Sequence, residues 1–189
     1  MYKDISFEIK GVSPLLLHNG QLANPLNEIV KEIKKFSKKR SKTEADYAAL
    51  SRLEWLGSLY LKDGKIVLPG EMVEALLING AKKKRQGPNA KIAIFVEKES
   101  LLKYDGPTDI EELYLDENFR LVAGVKVSRA RIMRTRPMFK EWGANIIVTY
   151  NNEVVDKQDV VEYMVIAGKQ VGLGDWRPKF GRFEVISFE

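Results

Sequence analysis

Apolar and polar residues alternate at the start of the chain. Ile5, Phe7 and Ile9 are separated by Ser6 and Glu8, the period-two pattern of a strand with one buried face. Gly11 and Pro14 end it, and Leu15, Leu16 and Leu17 follow as a short apolar run. The period then changes. Leu26, Ile29, Val30, Ile33 and Phe36 recur at helical spacing, and Leu50, Leu53 and Leu56 mark a second helix. Ser41 followed by Glu44 has the form of a capping box that opens it. Residues 59–61 and 66–68 flank Lys62, Asp63, Gly64 and Lys65, which reads as a hairpin. Pro69 begins a helix with Met72, Val73, Leu76, Leu77 and Ala81 on its apolar face, closed by Gly87 and Pro88. Ile92, Ile94 and Val96 alternate as a strand. Residues 97–117 are acidic and read as a connection with a short helix over 110–115. Strands are expected over 121–127 and 146–150, with Asn151 and Asn152 as a turn. A helix follows from about 157 to 168, with Val160, Val161, Met164 and Val165 inward. A last strand carries Phe183, Val185, Ile186 and Phe188.

With two segments set aside, the order is strand, helix, strand, strand, helix, strand. That is the split βαβ arrangement of ferredoxin-like folds, so the expected class is α+β with a ferredoxin-like core. At 189 residues the chain is read as a single domain, 1–189. The segments set aside are a helical pair over 26–57 and a basic hairpin over 128–140.

Composition narrows the function classes. With 44% hydrophobic and 30% charged residues, the chain has enough apolar side chain for a packed core rather than a disordered segment. The net charge of +5 favours an acidic partner, although where the charges sit matters more than their sum. Cysteine is absent, which excludes disulfides, thiolate metal sites and cysteine nucleophiles. One histidine leaves no basis for a conventional zinc site, and neither metal nor cofactor is expected. No apolar run has the length of a membrane span, and residues 1–9 lack the apolar core of a signal peptide. The expected compartment is the cytoplasm, with no membrane partner.

Two segments carry chemistry suited to a polyanion. Arg129, Arg131, Arg134 and Arg136 fall within eight positions between two predicted strands, with Ile132 and Met133 among them. Guanidinium groups bind phosphate bidentately and stack on bases, whereas a solvated hairpin paired with the acidic 97–117 stretch is the plainer alternative. Residues 168–182 combine Gly168, Gly172, Gly174 and Gly181 with Lys169, Arg177, Lys179, Arg182, Trp176 and Phe180. Open backbone, cations and flat rings together suit single-stranded nucleic acid, while a turn whose rings plug the core uses the same residues. Lys82, Lys83, Lys84 and Arg85 are a weaker signal, because cations are common in the last turn of any helix. The run from 34 to 42 reads as a solvated tip. His18 stands alone after an apolar run and reads as a hydrogen-bonded structural residue, with general base for RNA cleavage as its only catalytic reading. Asp175 reads as a cap or a partner of Arg177.

Three segments, in order, resemble the RAMP superfamily of CRISPR-associated RNA-binding proteins. They are the first strand ending in Gly11-Val-Ser-Pro-Leu15, the strand and helix of Val67-Leu-Pro-Gly-Glu-Met-Val-Glu-Ala-Leu-Leu77, and the Gly-rich loop from Gly172 to Val185 that leads into the last strand. The resemblance implies an RRM-like core binding single-stranded RNA through its backbone and a role in antiviral defence, and nothing in the residues themselves asks for an enzyme. It also implies a thumb-like hairpin at 128–140 that interrupts base pairing, and head-to-tail assembly along a guide RNA or with other effector subunits. Three alternatives use the same residues: an endoribonuclease using His18, a phage-type protein coating single-stranded DNA, and a mimic docking on a CRISPR subunit.

Overall fold

The computed structural model describes residues 1–127 and 130–189; Arg129, one of the four candidate arginines, lies outside them. In chain order the strands and helices are β1 (Tyr2–Gly11), β2 (Leu15–Leu16), α1 (Glu28–Ser37), α2 (Glu44–Ser58), β3 (Leu61–Lys62), β4 (Lys65–Leu68), α3 (Gly70–Lys82), α4 (Gly87–Ala93), β5 (Ile94–Phe95), β6 (Ser100–Lys103), α5 (Ile110–Leu115), β7 (Arg120–Val127), β8 (Ala130–Phe139), β9 (Gly143–Asn151), α6 (Lys157–Gln170) and β10 (Phe183–Phe188). They form two compact units. One comprises Met1–Leu15, Leu61–Asp105 and Phe139–Glu189; the other comprises Leu16–Tyr60 and Gly106–Met138.

The first unit is built on an antiparallel sheet of order β10-β1-β9-β6-β4-β3, with β5 also paired to β9. The register sets Ile5 opposite Val148, Phe7 opposite Ile146 and Ile9 opposite Ala144. All six are buried on one face, because directly opposed residues of an antiparallel pair share a side. Helices α3 and α6 supply Val73, Leu76, Leu77, Val160, Met164 and Ala167 to the same core. The two helices approach closely at Gly80, where a Cβ would collide with the carbonyl of Tyr163. Burial pushes the Tyr163 hydroxyl up to about 12. Reduced to β1, α3, β6, β9, α6 and β10, the unit is βαββαβ, the order the periodicity predicts, with β6 in the place of the strand expected at 92–96.

Two details differ from the sequence reading. The strand expected at Ile92 to Val96 is mostly helix α4, with only Ile94 and Phe95 extended. Alternation misleads there because Ile92 is solvent-exposed on a short helix whose buried positions are Gly87, Ala90 and Ala93. The connection 97–117 holds a further strand, β6, too short for a clear period, along with the expected helix α5. The hairpin at Asp63 and Gly64 forms as predicted, both residues having positive φ.

The second unit packs α1 and α2 with the antiparallel pair β7–β8. The capping box of α2 is Thr43 with Asp46, not Ser41 with Glu44. Asp46 is the better partner here because it also bonds the Lys39 ammonium, which, with the Thr43 amide, holds its carboxyl below the usual range. Leu26 precedes the Asn27 cap of α1 and is exposed rather than on the apolar face. Trp55 anchors the unit. Its indole N–H donates to the Phe119 carbonyl at 2.9 Å, and its ring meets Tyr114 edge-on. Replacing Trp55 with Phe removes that donor from a buried carbonyl and should cost about 1–3 kcal/mol. Urea unfolding followed by circular dichroism checks this.

Candidate nucleic-acid interface

The Gly-rich loop is a folded turn of the first unit. The Leu173 amide donates to the Gly181 carbonyl, and the Gly181 amide donates to Pro14, each at 2.8 Å. The Arg182 amide donates to the Ser13 hydroxyl at 2.9 Å. These bonds tie the loop to the turn after β1, where Trp142 donates from its indole to Ser13. Gly172 and Gly181 have φ of +78° and +75°, and a Cβ at Gly181 would fall on the Leu173 carbonyl oxygen. Leu173 is fully buried, so the glycines let the loop plug the core with an aliphatic residue.

The aromatic residues stay outside. Trp176 and Phe180 are half-buried, their rings 6.0 Å apart and tilted, with the Lys179 ammonium over Phe180. Trp176 has φ of +52°, a region that costs a non-glycine residue about 1–3 kcal/mol and that concentrates at functional sites. The Asp175 carboxylate accepts the Trp176 amide at 3.0 Å. Lys169, Arg177, Lys179 and Arg182 are all exposed.

Three of the predicted cations meet in one cleft. The ends of α3 and α6 and the loop residues Arg177 and Pro178 enclose about 500 Å³, lined by Lys82 and Lys83 together with Asn79, Gln170 and Val171. Lys82 donates to Asn79 at 3.1 Å, its stem lying over Gly87. Among the described residues, no carboxylate forms an ion pair with Lys82, Lys83 or Arg177. Lys84, by contrast, is held by Glu162. Arg85 sits at φ +62°, where it closes α3 as the Gln86 amide reaches back to Ala81. The cleft collects positive charge from separate parts of the sequence, whereas each helix end alone would merely balance its own dipole.

The arginine segment differs from its sequence reading. It is not a short tip between strands but the body of β8, paired with β7 from Arg120↔Pro137 to Val127↔Ala130. Arg131 is exposed. Arg134 forms an ion pair with Glu54 of α2, whose other oxygen accepts the Thr135 amide at 3.1 Å. Arg136 is only 9% exposed and donates to the Thr135 carbonyl. Arg134 and Arg136 therefore face the interior of the second unit, and an open phosphate-binding row of four is not what forms. Within the acidic 97–117 stretch, Glu111 pairs with Arg52 of α2. His18 is exposed on the second unit, and its backbone carbonyl accepts from the Tyr60 hydroxyl.

The polar half of the β1 alternation forms the other face of the sheet. The face of the first unit's sheet opposite its helices carries Asp4, Ser6 and Glu8 of β1 against Thr149, Ile147 and Asn145 of β9. Asp4 and Glu8 at the centre of that face repel phosphates, and Tyr2 and Phe95 meet edge-on at its end. Among the described residues, no group of three His, Asp or Glu side chains could hold a metal ion.

No protein-family model matches the chain, and no curated sequence matches it. Among solved structures, the chain superposes over its full length on a subunit of a type III-B Cmr-β complex bound to cognate target RNA, with TM-score 0.60 and 9% identity. The chain spans 60% of that subunit's length. A second match, Cmr6 from Pyrococcus furiosus, has TM-score 0.42 and 8% identity over 98% of this chain and 99% of that one. The first likeness establishes a shared fold.

Replacing Gly181 with Ala should cost at least about 2 kcal/mol, since both its φ and its contact with Leu173 forbid a Cβ. Thermal unfolding should report it as a lower Tm.

Proposed function

We propose that the chain is a non-catalytic, RNA-binding subunit of a RAMP-type CRISPR effector, and that single-stranded RNA lies in the cleft of the first unit. The observation that carries this is the convergence of Lys82, Lys83 and Arg177 beside the strained, half-exposed Trp176. The cations neutralise phosphates, and the Trp176 and Phe180 rings offer faces to bases splayed from the backbone. Lys169, Lys179 and Arg182 extend the basic surface of the loop. The sheet face plays no part, because Asp4 and Glu8 occupy its centre. The fold shared with a protein whose structure contains target RNA supports RNA over DNA as the ligand, and supports other effector subunits as neighbours. Assembly along the strand and the thumb role of 128–140 belong to the same reading, with Arg131 as the arginine on β8 placed to meet a phosphate.

Fluorescence anisotropy with a labelled single-stranded RNA tests it. Affinity should fall steeply with salt, and the triple replacement of Lys82, Lys83 and Arg177 by Ala should flatten the log–log slope by about 2. Replacing Trp176 with Ala should weaken binding about ten-fold with Tm nearly unchanged, as loss of one stacked base requires. An unaltered slope in the triple variant, or equal binding of a duplex, overturns the reading.

A further inference from the structure

We propose that the second unit carries a groove that receives α5 of a second copy of this chain. The groove encloses about 790 Å³ between α2 and the β7–β8 pair. Tyr47 and Leu50 of α2, Val122 of β7 and Met133 of β8 supply its apolar lining. Tyr47, Val122 and Met133 are each more than half exposed, and a contiguous apolar surface left open to water marks a place where something docks. Tyr47 is the one ring in that lining. The rest, with the adaptable thioether of Met133, suits a protein side chain better than stacked bases.

The charges at the rim choose the occupant. Glu54 is taken by Arg134, and neither Lys42 nor Arg131 forms an ion pair among the described residues. Lys42 donates to the Lys39 carbonyl at 2.9 Å, which leaves its charge unanswered. An apolar groove with two such cations calls for an apolar side chain flanked by a carboxylate. The same unit presents one. Leu115, the last residue of α5, is 73% exposed, and Glu112 lies three residues before it on the same side of the helix. Glu112 is exposed and has no ion-pair partner among the described residues, whereas Glu111 is held by Arg52. The helix beneath them is fixed. Asp109 caps it through the Glu111 and Glu112 amides, Leu113 is fully buried, and Tyr114 meets Trp55 edge-on.

The two surfaces cannot meet within one chain. Tyr47, Leu50 and Glu54 of α2 line the groove, whereas Arg52 and Trp55 face α5, roughly a third of a turn around the helix. A knob and a groove on different sides of one unit pair head to tail between copies. This names a protein contact for the assembly proposed above and rests on that part of the reading. It involves none of Lys82, Lys83 and Arg177 and needs no RNA. Arg131 has donors enough for a carboxylate and a phosphate together.

Sedimentation velocity of the nuclease-treated full chain tests the contact, over about 5 to 500 μM because a small interface associates weakly. Mass should grow with concentration, and less so at high salt. Leu115→Arg and Met133→Glu, each at an exposed position, should weaken association at least about ten-fold with Tm unchanged. Mixed in equal amounts, the two variants should recover a dimer and stop there, since only one knob and one groove remain intact. Should either variant unfold, Lys42→Glu and Glu112→Lys carry the test: each should weaken association, and the double variant should regain it. A wild-type chain that stays monomeric, variants that associate as it does, or a mixture that forms no dimer overturns the proposal. Fluorescence anisotropy with a short single-stranded RNA separates this contact from the cleft. Both variants should bind the RNA as the wild type does. Loss of RNA binding by Met133→Glu with its association preserved assigns the groove to RNA and overturns the proposal. A wild-type chain that associates as described but binds no RNA removes the cleft reading and supports this contact alone.

Discussion

The pairing of Leu173 with Gly181, and of Gly181 with Pro14, is the constraint on which the candidate interface depends. It joins the end of α6, the start of β10 and the turn after β1 through backbone bonds that only glycine geometry permits. Leu173 is drawn into the core, and the intervening residues are forced outward. Trp176 and Arg177 reach the surface for that reason. The loop follows α6, which packs against α3, so the same arrangement brings Arg177 beside Lys82 and Lys83.

Cations in this chain divide by what they already hold. Lys84, Arg52, Lys39 and Arg134 answer carboxylates within the fold. Lys82, Lys83 and Arg177 face a cleft without such partners among the described residues. Sequence composition treats these groups alike. An exposed ion pair contributes little to stability, but it does remove a charge from the reach of a ligand, so the local balance decides which basic segment can serve a polyanion.

The βαββαβ core was legible because β1, α3 and α6 each carry a long, clean period that matches their burial; in β10 only Phe183 is buried, and Ile186 and Phe188 are exposed. The ending of β1 at Gly11, the hairpin at Asp63 and the start of α3 after Pro69 were legible from turn chemistry. Ile92 misled because a seven-residue helix is too short to reveal its period, and β6 is shorter still. The arginine segment misled for a different reason. Guanidinium groups at alternate positions look alike in sequence whether they face water or Glu54, and that carboxylate lies eighty residues away. Trp176 was singled out by type and neighbours. Its left-handed backbone could not be inferred, since nothing in the residue itself favours that conformation.

Ultraviolet crosslinking of the full chain to single-stranded RNA, with the attached peptides mapped by mass spectrometry, addresses the central claim most directly. Adducts are expected on the peptides carrying Trp176 and Phe180 and on that carrying Lys82 and Lys83. Adducts confined to β1 and β9, the strands of Asp4, Glu8 and Asn145, would contradict it.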